Sequence, residues 1–119
     1  MENVDLVVLR ARGSTLPHEI LTLKGEVDQL VVKLEQVKGE YGNFCSKLRL
    51  EAHALHPKES ITILNDMIQE RCETERMKLV MAVADVENKK GKHDEKDREY
   101  MMVKVLIRSI ETEIKYHGG

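Results

Sequence analysis

The chain has 119 residues, enough for one ordinary domain and too few for two. It is 41% hydrophobic, 34% charged and only 3% aromatic, with no Trp, which suits an aliphatic helix bundle and excludes a β-sandwich rich in aromatic strands. With 19 basic and 21 acidic residues the net charge is −2, so the electrostatic basis for binding nucleic acid or an anionic membrane is missing.

Residues 1–14 carry Val4, Leu6, Val7, Val8 and Leu9, then Arg10 and Arg12. A short strand here would have no partner, so these residues are expected as a flexible N-terminal arm. The acidic start, Met-Glu-Asn-Val-Asp, does not have the basic flank of a secretory signal. Gly13, Ser14, Thr15, Leu16 and Pro17 resemble a helix start, with Thr15 or Leu16 as the N-cap and Pro17 in the first turn where its missing N–H costs nothing.

Helix 1 is expected over about residues 17–55. Ile20, Leu23, Val27, Leu30, Leu34, Val37, Tyr41, Phe44 and Leu48 alternate in steps of three and four. That 3.5-residue period places them on one seam and calls for a partner helix along it. Gly25, Gly39 and Gly42 fall on the far side of the seam, and residues 39–43 are the expected place for a kink.

His56 and Pro57 mark the next boundary, because the residue before Pro is steered out of helical geometry. Helix 2 is expected over about 57–89, with Ile61, Leu64, Ile68, Cys72, Leu79, Val83 and Val86 as its stripe and Glu75 interrupting it. From Met77 to Val86 it is apolar nearly all round, which implies burial on more than one side. The run Asn88, Lys89, Lys90, Gly91, Lys92 and His93 reads as its end, and Asp94 as the cap of helix 3, over about 95–117. Tyr100, Val103, Ile107, Ile110, Ile114 and His117 form the seam of helix 3, and Gly118 and Gly119 terminate it.

The resulting expectation is an all-α fold: an antiparallel up-down-up three-helix bundle over 15–119, with a long first helix and coiled-coil-like seams. At 1.5 Å per residue the three helices would be about 60, 48 and 35 Å long. The mismatch leaves part of helix 1 uncovered, as a strip for a partner or a second copy.

Few side chains suggest chemistry. His53 and His56 lack the further ligands of a zinc site, so no metal is expected. Cys45 and Cys72 both lie in helical pattern and read as two buried, reduced, inert thiols rather than a bridge. No phosphate loop or nucleophile elbow is present, so neither an enzyme nor a cofactor is expected. The five cations Lys89, Lys90, Lys92, Lys96 and Arg98 meet five anions, Glu87, Asp94, Glu95, Asp97 and Glu99, as at an ordinary solvated junction. Met77, Met81, Met101 and Met102 would come together between antiparallel helices 2 and 3, filling core or forming an adaptable binding surface.

These features point to a non-enzymatic protein–protein interaction module, a helical adaptor or scaffold, in the cytoplasm or nucleus. Over residues 19–117 the layout resembles the longer BAG domains. That resemblance implies a co-chaperone whose helices 2 and 3 bind the Hsp70 nucleotide-binding domain and promote nucleotide release. Glu75, Asp85 and Arg98 would stand in the contact positions, with Lys104 and Arg108 further along helix 3. The chain departs from the family at Leu106 and Ile107, where an amide is expected, and at Glu99, Tyr100 and Met101, which break the basic run. Spectrin-like repeats share the layout but carry a core Trp that is absent here. A self-associating structural coiled coil is the remaining reading.

Overall fold

A computed structural model describes residues 3–117. It is a helical bundle of three helices: α1 (Val4–Leu55), α2 (Ile61–Arg71) and α3 (Glu73–Tyr116). No strand occurs among the described residues. No helix there is long and apolar enough to cross a membrane.

The helix boundaries depart from expectation in three places. The expected arm is helical from Val4 onward, its first two residues lying outside the described ones. Asn3 caps α1, its Oδ1 accepting from the Leu6 amide at 3.0 Å and its carbonyl from the Val7 amide at 3.0 Å. Behind that cap, Leu6, Leu9, Gly13 and Leu16 extend the 3-4 spacing of the seam backwards from Ile20, and each is buried or half-buried. Pro17 therefore lies inside α1 rather than at its start. It forgoes one backbone hydrogen bond, and the helix persists because its neighbour Leu16 is fully enclosed, at 0% exposure. The hydroxyls of Ser14 and Thr15 donate to the carbonyls of Ala11 and Arg12 within the helix instead of capping it.

The second departure is at 90–94, where the loop between helices 2 and 3 was expected. These residues are the interior of α3, so Asp94 caps nothing. Lys89, His93 and Lys96 occupy the inner row and are half-buried, in step with Val86 before them and Tyr100 after. Their aliphatic and ring portions cover the seam while their polar ends reach outward. Lys89 Nζ meets Glu26 at 2.7 Å. A Cβ on Gly91 would meet nothing within 4 Å, so this glycine faces outward and costs only its propensity, about 1 kcal/mol.

The third departure is a break where continuity was expected. The helix beginning after Pro57 stops at Arg71, and Cys72 forms its C-cap with φ −87° and ψ −2°. Its start is close to expectation: Ser60 is the N-cap, accepting from the Ile63 amide at 3.3 Å. The Glu59 amide closes the preceding turn on the His56 carbonyl at 3.1 Å. α1 runs unbroken through 39–43, and Gly25, Gly39 and Gly42 all face open space. The expected ending at Gly118 and Gly119 lies outside the described residues.

The chain divides into two compact units, residues 3–27 with 88–117, and residues 28–87. In the first, Arg10 pairs with Glu111, Arg12 with Glu99 and Glu26 with Lys89, so α1 ascends as α3 descends. In the second, Tyr41 and Cys45 of α1 pack on the cluster of Leu48, Ile68 and Cys72. In place of the expected division of the chain, α1 pairs with α3 in the first unit and packs on α2 and its C-cap in the second. α1 has 52 residues and α2 and α3 have 11 and 44, so no length mismatch leaves a strip of α1 bare. Its inner row is buried or half-buried from Leu6 to Ala52.

Candidate functional site

Three places in the fold concentrate polar or unpartnered groups. In the first unit, Arg12 is the centre of an ion cluster. Its Nε and Nη2 donate to the two carboxylate oxygens of Glu99, both at 2.9 Å, and its Nη1 donates to Glu19 at 3.0 Å. The two-pronged geometry matches guanidinium to carboxylate, so Arg12 joins α1 to α3 in one rotamer. Glu99 lies below the ordinary carboxylate range, because Arg12 donates to its charged form. The Arg12 guanidinium is held still more firmly protonated by Glu99 and then Glu19. All the partners are protein groups, which makes the cluster a fastening between helices.

In the second unit, the thiols of Cys45 and Cys72 face one another across α1 and the α2–α3 break, with Sγ to Sγ 3.1 Å. Both are free. Cys72 is buried and Cys45 half-buried, so the expectation of two enclosed thiols holds for one of them. Burial, and next the facing Cys45 thiol, push Cys72 up to about 11. A cleft of about 250 Å³ opens beside them, lined by Tyr41, Arg49, Asn65 and Gln69 as well as the two cysteines and Ile68. Arg76 stands nearby, its charge reinforced by the Tyr41 hydroxyl and by Glu73.

The third place is the outward side of α3 in the same unit. The inner row here is Cys72, Glu75, Leu79, Ala82 and Val86, all buried or half-buried. Ala82, not Val83, is the buried member, and Val83 turns outward. Met77, Val80 and Met81 are 48%, 51% and 63% exposed, and Ala84 is exposed beside them. The stretch expected to be enclosed on several sides is therefore covered on one and open on the other. Spacing of three, four and seven residues puts these four side chains on one face of the helix.

The five residues expected to contact a partner all lie on α3. Glu75 is on the inner row, with its carboxylate 3.1 Å from Lys78 Nζ. Asp85 is exposed and borders a groove with Lys33, Val37 and Met81. Arg98 is exposed, Lys104 places its ammonium 4.6 Å from the centre of the Tyr100 ring, and Thr112 donates to the Arg108 carbonyl. Glu75 and Asp85 belong to one unit and Arg98, Lys104 and Arg108 to the other. They were expected on two neighbouring helices, and the uninterrupted α3 puts them in series on one. At 100° per residue Lys104 and Arg108, four apart, share a face, whereas Arg98 points away from them and Asp85 away from Glu75. Met77 and Met81 belong to one unit and Met101 and Met102 to the other, and all four are exposed, so they do not fill core.

Sequence reasoning read Cys45 and Cys72 as two inert thiols rather than a bridge, without placing them face to face, and passed over the Arg12 cluster. The signal for the thiols was the break at Cys72, which no Gly or Pro announces. The signal for Arg12 was legible, since the 3-4 repeat continues back to Leu6. Among the described residues no group of three or more His, Cys, Asp or Glu side chains converges as metal ligands would. His53 and His56 are both exposed. No family model, no curated protein and no solved structure matches the chain.

Proposed function

We propose that the protein is a non-enzymatic interaction module, a helical adaptor that binds another protein through the outward face of α3. The observation that carries this reading is the open apolar face of Met77, Val80, Met81 and Ala84. Large apolar side chains grouped on one face and left in water mark a contact surface, and Met supplies one that adapts to its occupant. In the same reading the helices are coiled-coil partners, because their inner rows repeat in steps of three and four. The inner seam then holds the fold and the outer face serves the partner. A second copy of the chain is an alternative occupant of the same face, since a self-complementary patch generates a closed dimer.

The test compares the wild-type chain with Met81→Asp, a change on an exposed side chain. Sedimentation across a hundredfold concentration range reads self-association, and calorimetric titration with an Hsp70 nucleotide-binding domain reads the co-chaperone alternative. The expected result is association in one arm, weakened at least tenfold by the substitution with no loss of helix. A chain that stays monomeric and leaves the Hsp70 domain unbound removes both named occupants. Binding that survives Met81→Asp removes the face.

A further inference from the structure

Two irregularities of the fold coincide in the unit of residues 28–87. The inner row of α1 advances from Val37 to Tyr41 and then by four again to Cys45, which is half-buried, while Phe44 is turned outward. An unbroken alternation of threes and fours would have placed Phe44 inside and Cys45 beside it. Across from this step α2 ends, and the Cys72 amide closes on the Ile68 carbonyl at 2.9 Å. The step and the break together bring the two sulfurs to 3.1 Å. A disulfide requires about 2.05 Å, so the pair closes with a movement of about 1 Å.

We propose that Cys45 and Cys72 form a dithiol redox site, converted to an intrachain disulfide by exchange with a small disulfide of the glutathione type. Access sets the order of events. Both cysteines border the cleft that Tyr41, Arg49, Asn65 and Gln69 line, but Cys45 is half-buried whereas Cys72 is 1% exposed. The Cys45 thiol gives its proton to solvent and its thiolate attacks one sulfur of the reagent. The S–S bond of the reagent breaks, and the departing thiolate takes up a proton. Cys72 then loses its proton and attacks Cys45 Sγ, expelling the second reagent thiol. Two protein thiols are oxidised, one reagent disulfide is reduced, and two reagent thiols leave. Arg49 on the cleft wall suits a reagent bearing carboxylates. Burial disfavours the Cys72 thiolate, which makes the second exchange the slower one. The product ties α1 to the α2–α3 break and closes the loop of residues 45–72.

The experiment equilibrates the folded, full-length chain with oxidised and reduced glutathione at graded ratios, followed by acid quench and mass spectrometry. The expected product is a monomer lighter by two hydrogens, whose digest contains the Cys45 peptide joined to the Cys72 peptide. Because the fold presets the pair, the same measurement in concentrated urea is expected to need a ratio about tenfold more oxidising. Cys72→Ser should accumulate a glutathione adduct on Cys45, and Cys45→Ser should leave Cys72 unmodified at least tenfold longer. Cys72→Ala replaces Cys72→Ser should the latter lose helical circular dichroism. Thiols that stay free at the most oxidising ratio overturn the proposal. So does a bond between chains, or one that forms as readily in urea.

Discussion

Arg12 shows how one side chain couples the helices of its unit to pH. Its fork on Glu99 exists only while that carboxyl is ionised, and the pair holds Glu99 below its ordinary value of 4.5. A depressed carboxyl adds stability that is complete above 4.5 and is lost as pH falls through the lower, folded value. Thermal melts of the wild type and Glu99→Gln are therefore expected to differ at neutral pH, to begin approaching one another only below 4.5, and to converge as pH falls through the lowered folded value. A gap that persists unchanged at acid pH would assign the effect to packing instead. Leu16 tests the apolar side of the same region. It is fully enclosed next to Pro17, so Leu16→Ala is expected to cost about 2–5 kcal/mol in urea unfolding. A cost under about 0.5 kcal/mol, typical of a surface position, would mean that α1 does not pack there.

At the scale of elements, α1 and α3 are continuous through residues that ordinarily interrupt helices. α1 carries Pro17, Gly25, Gly39 and Gly42, and α3 carries Gly91. Their placement explains the tolerance, because Gly25, Gly39, Gly42 and Gly91 each point into open space. Gly39→Ala and Gly42→Ala are expected to raise stability by about 1 kcal/mol each, read as a shift of the urea midpoint at constant slope. No gain at either site would show that α1 bends or frays between 39 and 43. Gly13 is different: a Cβ there would lie 3.5 Å from Val103 and 3.7 Å from Ile107, at ordinary contact distance. Gly13→Ala is accordingly expected to fill the seam and to stabilise as well, by about 0.5–1 kcal/mol. The helical period of residues 20–48 was legible in the sequence, as was the outward placement of these glycines. The start at Asn3 is legible too, because the repeat runs backwards through Gly13 to Leu6.

At the scale of the molecule, nine apolar side chains among the described residues are buried, divided between the two units, while many large apolar groups remain in water. An arrangement of paired helices has one seam per pair, so an apolar residue off that seam has nothing to pack on. This is why the Met77 to Val86 stretch, which on sequence alone implied multiple covered sides, ends with an open face. Met81→Asp is expected to leave the unfolding midpoint within about 0.5 kcal/mol of wild type, since a 63% exposed side chain contributes little to folding. A larger loss would mean that this face is covered within the monomer.

The sequence by itself determined that the chain is helical and which row of α1 faces inward from Ile20 to Tyr41, beyond which Cys45 rather than Phe44 continues it. Period and composition are properties of a single strand of residues, readable without knowing the partner. Only the tertiary structure decided where helices stop and what runs beside what. Lys89, His93 and Lys96 look like a solvated loop until α1, in the same unit, supplies Glu26 for Lys89 and leaves all three half-buried. Cys72 looks like one more stripe residue until α2 ends on it and presents its sulfur to Cys45. In both cases the outcome depends on groups far away in sequence, whose contributions no local pattern contains.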